Sequence, residues 1–238
     1  MFPQWTVTPD NTTQYAIDAN VRYRLVSTGI PGLTLWAYML NSAAAGQAIR
    51  RRMVGSRGTL RMQMAPRGYP EISFEFRGRS PATPDLVAEP AAPVFQAEAS
   101  SPFVSAECFL GTIGATSEAN ARLQLSSLTM DLAGELENFD DPANADGYDV
   151  TEIVRRIPGG TIIANLLKTP RDIFAEMVAN TDRTLWINWG QAAGRRVSLL
   201  VPAARFIQHR ESDVRGYAAE EATFRAHGTD DACWICLW

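Results

Sequence analysis

Cys233 and Cys236, in the run Cys-Trp-Ile-Cys, have the spacing of a redox couple or of half a metal site. A redox couple of this kind belongs at a helix N-terminus, where the thiol pKa is lowered. Here the pair falls near the end of the chain, in residues 232–238, which read as a strand. A tetrahedral zinc site needs two further ligands, and Cys108 with His209 or His227 is the reserve. Three cysteines are too few and too oddly numbered for a disulfide framework. The pattern predicts small buried hydrophobes, with no metal and no cofactor.

The two histidines are the other candidates for chemistry. His209 lies beside Arg210 and Glu211, and His227 precedes Gly228-Thr229-Asp230. Neither has a Gly-x-Ser-x-Gly serine or a positioned cysteine to activate. There is no phosphate-binding glycine loop, no His-Glu-x-x-His and no Gly-x-Gly-x-x-Gly. An acidic stretch, Asp131 to Glu152, carries eight carboxylates and no lysine or arginine. Within it Asn144-Ala-Asp-Gly resembles the middle of a calcium loop. Pro142 occupies the first ligand position, however, and Ile153 the position that needs a bidentate glutamate, so that reading fails. A carboxylate pair for glycoside hydrolysis would need a separation of about 5–10 Å in space, which sequence spacing does not reveal. The residues predict no catalytic site.

These groups need a scaffold, and the alternation of the chain predicts a β one. Thr59 to Met64 places Leu60, Met62 and Met64 on one face. After a turn at Ala65-Pro66-Arg67-Gly68, Ile72, Phe74 and Phe76 share one face, which makes a hairpin with a buried side. Leu33 to Met39 fits a buried strand. Ser80 to Pro102, rich in proline, alanine and serine, reads as a crossover or surface loop. Ala121 to Leu132 reads as one long strand with a bulge near Ser126-Ser127. Asp146 to Ile157 is a strand, and Thr161 to Leu167 follows a Pro158-Gly159-Gly160 turn. One helix, Pro170 to Asn180, is predicted behind an N-cap at Thr169. Residues 184–189, 196–201, 204–208, 218–226 and 232–237 complete about ten strands. The expected fold is a mainly β, antiparallel sandwich or barrel with one flanking helix.

With 238 residues, close to half of them hydrophobic, the chain can bury one large β core without covalent staples. Residues 1–20 lack periodicity and read as an arm carrying Phe2 and Trp5, leaving 21–238 as a single domain. No apolar run of about 18 residues offers a membrane anchor, and the first ten residues lack a secretory signal, so the expected site of synthesis and folding is the cytoplasm. The net charge of −4 argues against tight nonspecific DNA binding. The charges are nevertheless segregated. Arginines crowd positions 50–79, starting with Arg50, Arg51 and Arg52, while acids crowd positions 131–152, including Asp140 and Asp141. That predicts a head-to-tail contact between copies, with Arg50 to Arg52 meeting Asp140 and Asp141.

Several motifs, in order, resemble the tail tube proteins of long-tailed bacteriophages. Gly55-Ser-Arg-Gly-Thr-Leu-Arg-Met-Gln-Met64, then Pro70-Glu-Ile-Ser-Phe-Glu-Phe-Arg-Gly78 and a proline-rich segment from Pro81, are similar to the first half of that family. Asn144-Ala-Asp-Gly-Tyr148, Arg156-Ile-Pro-Gly-Gly-Thr-Ile162, the helix, Gly194-Arg-Arg-Val-Ser-Leu-Leu-Val-Pro202 and Asp213-Val-Arg-Gly216 are similar to the second. The likeness covers roughly residues 30–238 and leaves the arm and the Cys-Trp-Ile-Cys ending unmatched. It implies a structural virion protein, not an enzyme: hexameric rings stacked into a tube, made in the host cytoplasm. The implied partners are the tape-measure, tail terminator and distal tail proteins, and double-stranded DNA that passes through unbound. The alternatives are a tail terminator or distal tail protein of similar fold, or a β-sandwich hydrolase acting on carbohydrate.

Overall fold

The computed structural model describes residues 5–7, 13–15, 21–40, 46–80, 84–90, 102–104, 106–113, 121–165, 172–190, 195–228 and 230–237. Their strands are β1 (Trp5–Val7), β2 (Thr13–Tyr15), β3 (Val21–Arg24), β4 (Leu33–Leu40), β5 (Gln47–Met64) and β6 (Glu71–Arg79). Next come β7 (Asp85–Ala88), β8 (Glu107–Thr112), β9 (Ala121–Leu123), β10 (Leu125–Asp131), β11 (Gly134–Asp140), β12 (Tyr148–Arg156) and β13 (Gly159–Asn165). Helix α1 (Ile173–Val178) precedes β14 (Asp182–Trp189), β15 (Val197–Val214), β16 (Tyr217–Ala226) and β17 (Trp234–Leu237). Among the described residues, 68% are strand and 3% helix, so the fold is mainly β with one short helix, as the alternation predicts. No described helix is long and apolar enough to cross a membrane.

Thirteen strands join one antiparallel sheet, whose main path runs β4-β5-β10-β13-β16-β15-β14-β8-β9. The stretch expected as one strand over 121–132 is two, because β9 pairs with β8 while β10 pairs with β5 and β13. Only Gln124 separates them in sequence, although β9 ends the path and β10 lies near its start. Leu123 and Leu125 lie within about 7 Å of each other, so the sheet must curl back on itself, and it forms a half-barrel. The Asn165 amide, at the end of β13, donates to the Gln124 carbonyl at that corner (2.9 Å). The expected bulge is present, with a register shift between Leu125 and Ser127.

The concave side holds the core. Met62, Met64, Leu128, Met130, Ile162, Phe206 and Phe224 are buried there from five different strands. Each such side chain contributes about 1.5–3 kcal/mol by leaving water. Ile173 of α1 is fully buried in the same cluster. The helix is capped by Asp172, whose carboxylate accepts from the Ala175 amide (2.9 Å), rather than by Thr169, which lies outside the described residues.

Three other expectations are corrected. Residues 196–201 and 204–208 are one strand, β15, which runs through Pro202. Proline cannot donate to a ladder, and the strand accommodates it in a bulge: Val201 pairs with Leu185 and Ala204 with Arg183. Thr184 Oγ1 donates to the Pro202 carbonyl there (2.9 Å). Gly159 and Gly160 are strand residues of β13 and not a turn. In the loop expected over 80–102, the chain forms β7 against the start of β5.

Candidate functional site

Strand β5 is a spine with different neighbours along its length. Its first half pairs with β4 on one edge and β7 on the other. Its second half pairs with β6 and β10. The first half is thus a three-stranded wing. On one face the register groups Trp36, Tyr38 and Leu40 with Arg50 and Arg52; on the other it groups Met39 with Ile49, Arg51 and Leu86. Both faces carry exposed apolar side chains, although Ala48 is buried on the first: Trp36 is 51% exposed and Leu40 75%, and on the reverse Met39 is 42% and Leu86 59% exposed. The strand at 33–39 is therefore an exposed one, not the buried one its composition suggests.

Arg50 is committed within the chain. Its Nη2 lies 2.8 Å from Asp85 Oδ2, and its guanidinium sits 4.4 Å above the Trp36 ring. The hydrogen bond from Arg50 is the chief cause holding the Asp85 carboxyl below its ordinary pKa. Arg51 and Arg52 are exposed on opposite faces of the wing, with no ion pair among the described residues.

The remaining basic and acidic segments largely meet inside one chain. The β11–β12 hairpin packs against β5 and β6. There Arg57 faces Glu152 (3.5 Å), Arg77 faces Glu137 (3.9 Å) and Arg79 faces Asp146 (3.3 Å). Arg77 Nη1 also donates to the Leu136 carbonyl (2.6 Å). Asp141 closes the hairpin turn, accepting from the Ala143 amide and from Asn144 Nδ2, both at 2.9 Å. Asp140 stays exposed at the hairpin tip. Phe2 lies outside the described residues. Trp5 is on β1, paired with Tyr15 of β2 in a separate two-stranded sheet, and its side chain lies outside the described residues.

The structure pairs one histidine that sequence reading leaves isolated. His209 Nε2 is 3.2 Å from Glu220 Oε2, and the His209 ring lies 5.5 Å from that of Phe174 on α1. Glu220 is buried, and its Oε1 has no hydrogen-bond partner among the described residues. Burial pushes its carboxyl pKa up, opposed by His209 and reinforced by Asp172. Counting back by twos along β16 from Phe224 and Ala222 reaches Glu220, so strand parity carried the signal for an inward acid. His227 is exposed. Comparison of the chain with protein-family models and with curated proteins found no match.

The three cysteines are buried and form no disulfide among the described residues. Cys233 packs in the concave core with Cys108, whereas Cys236 packs with Trp186 and Leu200 in the cluster on the opposite face of the sheet. Burial pushes the Cys233 and Cys108 thiols up to about 12, far from thiolate reactivity at neutral pH. Phe74, expected in the core, is 61% exposed on β6.

Proposed function

We propose that this chain is a bacteriophage tail tube subunit, which assembles into hexameric rings stacked as a DNA-conducting channel. The observation that carries the reading is the wing of β4, β5 and β7, with large apolar side chains bare on both faces. Monomeric proteins rarely leave such a contiguous surface open to water. A thin element with exposed apolar side chains on both sides gains most by insertion between neighbours, which a repeating assembly supplies. The ordered motif likeness to tail tube proteins points the same way, and the tape-measure, terminator and distal tail proteins are the partners it implies.

Negative-stain microscopy of concentrated, purified protein tests the proposal. Tubes of uniform width are expected. Single rings that never stack, even in the highest concentrations reached, would favour a terminator or distal tail protein. A chain that sediments as a monomer throughout would sink the assembly reading and return attention to hydrolase activity.

A further inference from the structure

Beside the wing lies a groove of about 430 Å³. Leu60, Phe74, Phe76, Ile30 and Ile153 line it. Phe76 lies flat on Gly58, where a Cβ would come within 2.6 Å of the ring. Phe74 stacks on Phe76 with centroids 6.1 Å apart, yet keeps 61% of its surface exposed. The charged side chains among the described lining residues are Arg24, Arg57 and Arg156, of which Arg57 already faces Glu152 at 3.5 Å. Arg57 Nε is buried with no hydrogen-bond partner among the described residues. An occupant of this groove should be apolar, aromatic and acidic.

One segment of the sequence has that chemistry. Residues 1–20 contain Phe2, Trp5, Tyr15 and Ile17, two acids at Asp10 and Asp18, and no lysine or arginine. Within it, β1 and β2 form a two-stranded sheet of their own. Such a ribbon is marginal in water unless it packs on a surface. Charge complementarity favours an arginine-lined seat for it. The described residues leave Phe74 largely uncovered. We propose that the amino-terminal ribbon of one copy, anchored by Trp5, seats in the Phe74 groove of a second copy. This rests on the reading that the chain assembles with itself.

The test replaces Phe74 with the photo-crosslinker p-benzoylphenylalanine in the full chain, a conservative change at an exposed aromatic position. Chains labelled with ¹⁴N and ¹⁵N are mixed, assembled and irradiated, and the crosslinked peptides are mapped. The expected product joins the peptide around position 74 to residues 1–20, with mixed labels. A Trp5→Ala change should lower its yield at least about tenfold, as loss of an aromatic anchor does. Same-label products alone, attachment to any other segment, no product, or a yield indifferent to Trp5→Ala would each overturn the proposal. Microscopy of the same samples separates this from the functional reading. Tubes crosslinked elsewhere would refute the seat and keep the tube, whereas the expected crosslink without rings or tubes would do the reverse.

Discussion

Glu220 is the residue whose environment makes the sharpest demand on the fold. A buried carboxylate with one histidine partner, and with its second oxygen lacking a partner among the described residues, favours its proton, and burial outweighs the opposing pull of His209. The folded chain therefore holds a proton at pH values where the unfolded chain has released it. That contribution is fully present below the ordinary glutamate value of 4.5 and is lost as pH rises through the raised folded value. Glu220→Gln cannot ionise and escapes this loss. Its melting temperature relative to the natural chain should rise from pH 4.5 to pH 8, by about 2–4 °C for each kcal/mol recovered in a chain of this size. Thermal denaturation across that range checks it. A difference constant with pH, or one that shrinks toward pH 8, would refute the assignment of Glu220 as the responsible group.

Among the elements, β13 shows how packing overrides local signals. Gly159 and Gly160 after Pro158 have the composition of a turn, yet both lie in the ladder between β10 and β16. A Cβ at Gly160 would come within 2.1 Å of the Thr129 carbonyl and 2.9 Å of Phe224 Cζ. The carbonyl belongs to the ladder and cannot retreat, so Gly160→Ala should destabilise the chain by about 1–3 kcal/mol, visible as a lower melting temperature. Retained stability would mean that the β10–β13 register differs from the one described. The hairpin at 59–76 was legible from alternation of period 2, but the expected buried side holds only for its first strand: Met62 and Met64 lie in the core, whereas Ile72 and Phe74 are exposed. The exposure of Leu33–Leu40 was not, since apolar composition is the same whether a strand is covered by its own chain or left bare. The Arg57–Glu152 and Arg79–Asp146 pairs were hidden by their separation in sequence, and so was the reach of Glu220 to His209 across neighbouring strands. Pro202 split β15 in the reading because a bulge opposite Thr184 cannot be seen without its partner strand.

At the scale of the whole molecule, the internal ion pairs change which charges remain for contacts between copies. Arg50 is held by Asp85 and Trp36, and Arg57, Arg77 and Arg79 face the β11–β12 hairpin. Asp141 is spent on its turn. Arg51, Arg52 and Asp140 are the members of the predicted set left exposed and unpaired among the described residues. One exposed ion pair contributes about 0–1 kcal/mol, but a ring repeats each contact in every subunit, so small terms accumulate along a stack. Changing Arg51→Glu and Arg52→Glu together should leave the monomer's melting temperature nearly unchanged, because neither makes an ion pair among the described residues and the pull of Arg52 on Asp85 is weaker than that of Arg50. The same pair of changes should block growth of rings into tubes, and adding Asp140→Arg should restore part of it. Arg50→Glu should behave differently, lowering the melting temperature as well, since it places a carboxylate against Asp85. Sedimentation and microscopy at low and moderate salt measure growth, which should also weaken as salt screens these charges. If the Arg51 and Arg52 reversals assemble as the natural chain does at both salt concentrations, assembly is governed by the apolar faces of the wing and not by its arginines.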